Sequence, residues 1–283
     1  MIIFDKTDNL KDKLAELKAS GLKIGFVPTM GALHQGHISL IEKAKSENDQ
    51  VVASIFVNPT QFNNPDDLKN YPRTFELDKD KLETANTDIL FCPSVEEIYP
   101  PNENNNDVYD FGSLEKVMEG AHRPGHFRGV AQVVSRLFRI VNPDTAYFGE
   151  KDFQQLAIIR ALVKKMNAKI KICGCETVRE SDGLAMSSRN ILLTEAERNE
   201  ASKLSIALFF VRDHQKDFSI KDIKQKAIDV IQESRMMQVE YLEIADEETL
   251  QPAVDWNFSK RLRTFVAAKL GKVRLIDNVS LSW

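Results

Sequence analysis

Cysteine is scarce in this chain: three in 283 residues, an odd number. Cys173 and Cys175 form a C-x-C without the second pair a zinc site requires, and Cys92 stands apart. A disulfide scaffold is thereby excluded, and the three read as free thiols of a reducing compartment. Charge of one sign is lacking too. Lys and Arg total 38 against 42 Asp and Glu, a net charge of −4. Nucleic acid and anionic membranes both demand a basic footprint, so neither is expected as a main partner. No uncharged apolar run approaches the ~18 residues of a membrane span. The opening MIIFDKTDNL lacks the basic segment and apolar stretch of a signal peptide. There is no internal repeat and no extended low-complexity tract. These absences predict a soluble cytoplasmic protein of about two domains, at roughly 100–200 residues each. Histidine is also rare, with five residues. Four of them fall in two close pairs, His34 with His37 and His122 with His126; His214 reads as a solvated helix end.

What is present is an alternation of strands and helices. Residues 10–20 repeat apolar positions at helical spacing and stop at Gly21. LKIGFVPT (22–29) reads as a buried strand, 36–48 as a helix and VVASIFV (51–57) as a central parallel strand. A loop (58–67), a helix near 74–86 and a strand (88–93) follow, then a polar Asn-rich insert (101–110). Helices at 129–141 and 150–166 flank a strand at 144–149, and 170–173 closes the series. Alternating strands and helices predict a parallel sheet with right-handed crossovers. Past residue 176 the pattern changes to helices at 195–213 and 219–234, then extended stretches at 239–245, 263–270 and 273–277. The fold class expected is α/β, a Rossmann-like doubly wound parallel sheet over 1–176 with a smaller C-terminal α+β domain over 177–283.

Five segments could carry chemistry. Met30-Gly31-Ala32-Leu33-His34-Gln35-Gly36-His37 follows the first parallel strand of that series and opens its helix. In a doubly wound sheet ligands sit at the carboxyl ends of strands. Unpaired N–H groups at the helix start bind phosphate oxygens, and imidazoles three residues apart can face one side of the first turn. The alternative is a surface turn with two solvated histidines. Asp182 to Asn190, just beyond Val178-Arg179, offers Ser187, Ser188 and Arg189 to a polyphosphate; a polar linker running to a Thr194–Glu197 capping box is the other reading. Gly149-Glu150-Lys151-Asp152 puts a lysine at a helix start, where the dipole opposes it unless an anion is near or the two acids neutralise it. Gln155 lies a turn further on, and Gln61 in Asn58-Pro59-Thr60-Gln61-Phe62 offers donor and acceptor to a polyhydroxy acid. His122 to Gly129 is a basic loop, either an anion anchor or a solvated turn.

In this order and at these spacings, PTMGALHQGH, IFVNPTQF, YPRT, RPGHFRGV, FGEKDFQQ and DGLAMSSRN resemble the pantoate–β-alanine ligase family, within the HxGH nucleotidyltransferase superfamily. The resemblance runs through the closing GKVRLIDN. It implies condensation of (R)-pantoate with β-alanine by a homodimer, with ATP as co-substrate, Mg²⁺ as cofactor and pantoyl adenylate as intermediate. Carried over, Met30 to His37, Gly149 to Asp152, Val178 and Met186-Ser187-Ser188-Arg189 would hold ATP. His37, His34, Lys151 and Arg189 would be catalytic, Gln61 and Gln155 would bind pantoate, and Gln61 would also bind β-alanine. Three other uses of such loops stand beside it: an adenylyltransferase that keeps the nucleotide in its product, a tRNA synthetase fragment, and a non-enzymatic ATP sensor. Adenylyltransferases of that kind are usually shorter, and the acidic balance disfavours a tRNA partner.

Overall fold

A computed structural model describes residues 1–62, 65–101 and 108–281; most of the Asn-rich insert lies outside them. The regular elements are β1 (Ile2–Phe4), α1 (Thr7–Ala19), β2 (Ile24–Thr29), α2 (Gln35–Glu47), β3 (Gln50–Ile55), α3 (Pro65–Asn70), α4 (Phe75–Thr84), β4 (Ile89–Phe91), α5 (Val95–Ile98), α6 (Met118–His122), α7 (His126–Val141), β5 (Thr145–Gly149), α8 (Phe153–Lys165), β6 (Lys171–Cys175), α9 (Glu195–Ala201), α10 (Lys203–His214), α11 (Ile220–Gln232), β7 (Met237–Asp246), β8 (Leu262–Leu270) and β9 (Val273–Leu281).

The chain folds into two units. The first comprises the described parts of Met1–Phe111, Arg123–Glu150 and Gln155–Glu176; the second comprises Gly112–His122, Lys151–Gln154 and the chain from Thr177 on. In the first unit six strands form one parallel sheet in the order β1-β4-β3-β2-β5-β6. The chain winds outward from β2 through β3 to β4, then returns to place β5 on the other flank of β2. That reversal makes the carboxyl ends of β2 and β5 the topological switch point, where open parallel sheets bind ligands. The central strands read as continuous apolar runs because both faces are covered: Phe26, Val27, Val51, Val52 and Ala53 have no exposed surface. Phe138 of α7 packs edge-on against Phe26 and Phe148, with centroids 6.4 Å away in each case.

In the second unit β7, β8 and β9 make an antiparallel sheet. It shares a core with α10 and α11 through Leu204, Leu208, Ile223, Ile231, Val266 and Leu275. The α/β class with a smaller α+β unit is what the sequence predicts. Several elements differ from that expectation. β1 carries no strand signal of its own; its three residues gain strand character only by pairing with β4, Ile2 opposite Ile89. The helix expected over 195–213 is interrupted at Ser202. The helix expected from 150 starts at Phe153, after a 3₁₀ turn over Glu150–Asp152. β9 continues four residues beyond 277 because Asp277 and Asn278, polar enough to look like a strand end, are buried and paired. All three cysteines are free thiols, and burial pushes Cys92 and Cys175 up to about 12, so both stay protonated at neutral pH.

Candidate active site

The chain leaves β2 at the switch point and turns through two consecutive left-handed residues, Gly31 (φ 81°) and Ala32 (φ 50°). Glycine adopts that conformation freely; alanine does so at a cost of about 1 kcal/mol. Two backbone amides of the turn are fixed by one carboxylate. Asp78, 1% exposed on α4, accepts from Ala32 N (2.8 Å) and Leu33 N (2.7 Å). Lys81, one turn further along α4, donates to the Leu33 carbonyl at 2.5 Å.

α2 then begins with a cap made by the two histidines themselves. His34 is the N-cap; its Nδ1 accepts from Gly36 N at 3.1 Å, and Nδ1 of His37 accepts from His34 N at 3.3 Å. The rings lie 4.1 Å apart. This is a capping box in which imidazole nitrogens replace the usual hydroxyl and carboxylate. With each Nδ1 accepting, each neutral ring carries its proton on Nε2. The spacing predicts that both rings share one side of the turn; it does not reveal that they cap the helix.

Gln61 lies in the turn after β3, which begins at Asn58. Its Nε2 donates to Sδ of Met30 at 2.8 Å, and Asn58 Nδ2 donates to its Oε1 at 3.2 Å. Asn58, 1% exposed, also donates to the Gly129 carbonyl at 3.2 Å. A side chain at Gly129 would collide with the Thr60 carbonyl, which explains the glycine in RPGHFRG. His126 is buried rather than solvated, its Nδ1 2.9 Å from the Gln61 carbonyl. So Met30, Asn58, Gln61 and His126 form one cluster, in which Gln61 is oriented rather than a loop glutamine in water. Gln155 is half-buried at the start of α8, while its neighbour Gln154 turns inward to the Leu114 and Val117 carbonyls. Gly149 ends β5 at the switch point and Glu150 opens the 3₁₀ turn that follows.

The other predicted residues belong to the second unit. Lys151 has a 16% exposed side chain, 3.8 Å from Asp152, and its carbonyl accepts from Asn278 Nδ2 at 2.8 Å. Val178 to Met186 is a hairpin rather than a linker: Met186 N bonds the Val178 carbonyl, Glu180 N the Leu184 carbonyl, and Gly183 turns at φ 89°. Ser187 to Arg189 follow directly, with Arg189 N donating to Ser187 Oγ at 3.3 Å. Arg179 anchors the hairpin by a two-pronged bond to Asp277 at 2.6 and 3.0 Å. Arg263, stacked 3.9 Å from the Phe153 ring centroid, donates to Asn278 Oδ1 at 2.5 Å. The Thr194–Glu197 capping box is present. His122 stacks on Tyr241, and exposed His214 bonds Asp217 at 2.9 Å.

Sequence reasoning did not find Asp78, Lys81, Asn58, His126 as a support of Gln61, or Asn278. Each acts on a loop far away in the chain, and only their presence inside or near the quoted motifs hinted at them.

No group of three or more His, Cys, Asp or Glu among the described residues could hold a metal ion.

A parallel sheet whose switch point is followed by a histidine-capped helix has the layout in which open α/β sheets bind ligands. Comparison with known proteins identifies the family. The pantoate–β-alanine ligase family model matches residues 2–280. A pantothenate synthetase of Flavobacterium psychrophilum is 47% identical over 282 residues, covering 99% of this chain and all of that one. The crystal structure of pantothenate synthetase from Thermus thermophilus superposes with a TM-score of 0.94 at 41% identity, over the full length of both chains. Pantoate–β-alanine ligase from Francisella tularensis, solved with β,γ-ATP and β-alanine, gives 0.81 at 39% identity, covering 99% and 97%. This chain belongs to the pantoate–β-alanine ligase family.

Proposed function

We propose that this chain condenses (R)-pantoate with β-alanine to give (R)-pantothenate, AMP and diphosphate by way of pantoyl adenylate. It is a carbon–nitrogen ligase with ATP as co-substrate, supported by the family match over residues 2–280 and by the relative solved with β,γ-ATP and β-alanine. The observation that carries the reading is the reciprocal His34–His37 cap where the sheet reverses.

Adenylation brings pantoate's carboxylate onto the α-phosphorus of ATP, so two anions must meet. In this reading Met30 to His37, Gly149 to Asp152, Val178 and Met186 to Arg189 hold the nucleotide. Lys151, Arg189 and the Ser187 and Ser188 hydroxyls offset the repulsion. The Nε2–H groups of His37 and His34 donate to oxygens that gain charge as diphosphate leaves. Bound Mg²⁺ would neutralise phosphate charge. Gln61 and Gln155 orient pantoate for attack, and Gln61 also meets β-alanine, whose neutral amine then attacks the acyl carbonyl as AMP departs. Pantoyl adenylate is labile to water; residues 1–176 serve pantoate and most of the ATP, and 177–283 add Val178, Met186 to Arg189 and the shielding. No described helix is long and apolar enough to cross a membrane, and all three thiols are free. We assign the chain to the cytoplasm as a homodimer, the state the family resemblance implies.

ATP–diphosphate exchange tests the reading. Exchange should require pantoate, and AMP release should require β-alanine; exchange driven by an α-amino acid instead would overturn it.

A further inference from the structure

From the geometry of the turn after β2 we infer that Asp78 is a positioning residue: its carboxylate forces the left-handed Gly31-Ala32 turn and so aims the His34–His37 cap. The inference rests on the reading that this loop handles ATP.

The argument begins with the cost of the turn. Ala32 is one of six non-glycine residues at positive φ among the described residues, and it follows directly on Gly31 at positive φ. The Ala32 and Leu33 amides of this turn converge on one point, as in an anion-binding concavity. The anion is supplied from inside the protein. Asp78 Oδ2 takes Ala32 N and Oδ1 takes Leu33 N; Thr74 Oγ1, a turn earlier, donates to Oδ2 at 3.2 Å. A carboxylate with 1% exposure is costly to bury unless its oxygens are paired, and here both are bonded. The same α4 turn supplies Lys81 to the Leu33 carbonyl, so one helix grips three backbone groups of two successive residues. Gly31 leaves no slack, since a β-carbon there would lie 3.1 Å from Asp78 Oδ2 and 3.2 Å from Ile55 Cγ2. One residue past this grip stands His34, whose backbone N–H is held by His37. The direction of both Nε2–H groups therefore follows from the path that Asp78 dictates, without Asp78 touching substrate.

The test is Asp78→Asn, which keeps shape but turns one acceptor oxygen into an NH₂ facing a backbone N–H. Pantoate-dependent exchange should fall about 10-fold to 100-fold, the loss expected when a catalytic group shifts by about an ångström. Hydrogen–deuterium exchange without substrate should show faster exchange at residues 31–37 while β2, β3 and β5 keep their protection. Ala32→Gly in the Asp78→Asn background removes the steric cost of the turn and should restore part of the exchange rate. Three results would overturn the inference: activity and loop protection both within twofold of wild type; loss that tracks falling thermal stability with no rescue by Ala32→Gly; or recovery of Asp78→Asn on raising Mg²⁺, which would assign the carboxylate to the metal. A wild-type chain without pantoate-dependent exchange would sink the functional reading instead, and the protection measurement would still decide the role of Asp78.

Discussion

The two loops richest in predicted ATP residues are built on opposite plans. Met30 to His37 presents backbone N–H groups and two short aromatic side chains, and its fixing reaches less far along the chain, three residues for the cap and 46 for Asp78. The cap closes over three residues, and a single carboxylate on α4 holds the turn. Val178 to Arg189, with Lys151, presents long cationic side chains and hydroxyls. Its fixing is remote: Asp277 and Asn278 of β9 bond Arg179 and Lys151 across 98 and 127 residues. The difference follows from the donors. A backbone N–H points wherever its peptide is held, so the turn itself must be rigid. A lysine or arginine can swing its charge through several ångströms, so only its point of departure needs fixing.

If that contrast is right, damage to the first loop should hit the chemical step, and damage to the second should hit binding. The largest effect is expected at His37. His37→Ala removes a proposed transition-state donor and half of the cap, and should lower single-turnover formation of pantoyl adenylate by roughly 10²–10³-fold. The KM for ATP should change far less. Near-wild-type adenylation in rapid-quench measurements would sink that role.

An intermediate effect is expected from Asn278→Ala. It deletes the bond to the Lys151 carbonyl and leaves the buried Arg263 guanidinium short of an acceptor. Losing a hydrogen bond of this kind costs about 1–3 kcal/mol of stability. A lowered thermal midpoint together with a KM for ATP raised about fivefold, at little change in kcat, is the expected pattern. A fall in kcat at constant KM would erase the distinction between the loops.

The same contrast explains what the sequence made legible. His34 and His37 were visible because they share the first turn of a helix that opens directly after a strand; the cap they make was not. The parallel sheet was visible because strands covered on both faces are apolar throughout; the strand order that puts the switch point at β2 and β5 was not. Asp78 was not, since a helix-start aspartate reads as a macrodipole partner, and nothing local shows both its oxygens reaching a turn 46 residues earlier. Asn278 was hidden for the converse reason: a polar pair in an apolar strand reads as the end of the strand. Gln61 was singled out, but its orientation also depends on Met30, 31 residues earlier, which only the folded chain brings beside it.

The smallest effect concerns the tip of the second loop, where exposed charges do part of the holding. Arg198 donates to Asp182 at 2.5 Å and to Glu180 at 2.6 Å, tying the hairpin to α9. The Arg198 guanidinium holds the Asp182 carboxyl below the usual range. A depressed carboxyl contributes stability that is present above its unfolded value, near 3.9, and is lost as pH falls through the folded value below that. The Asp182 side chain is 36% exposed, so solvent screening keeps the contribution to about 1 kcal/mol or less. Urea unfolding of wild type and Asp182→Asn should therefore differ slightly at pH 7 and converge below about pH 4. The first loop is held by its own cap and by Asp78, neither of which this substitution touches, so amide protection at 34–37 should be the same in both proteins. A stability difference that stays constant or grows on acidification would show that the bridge does not hold the hairpin.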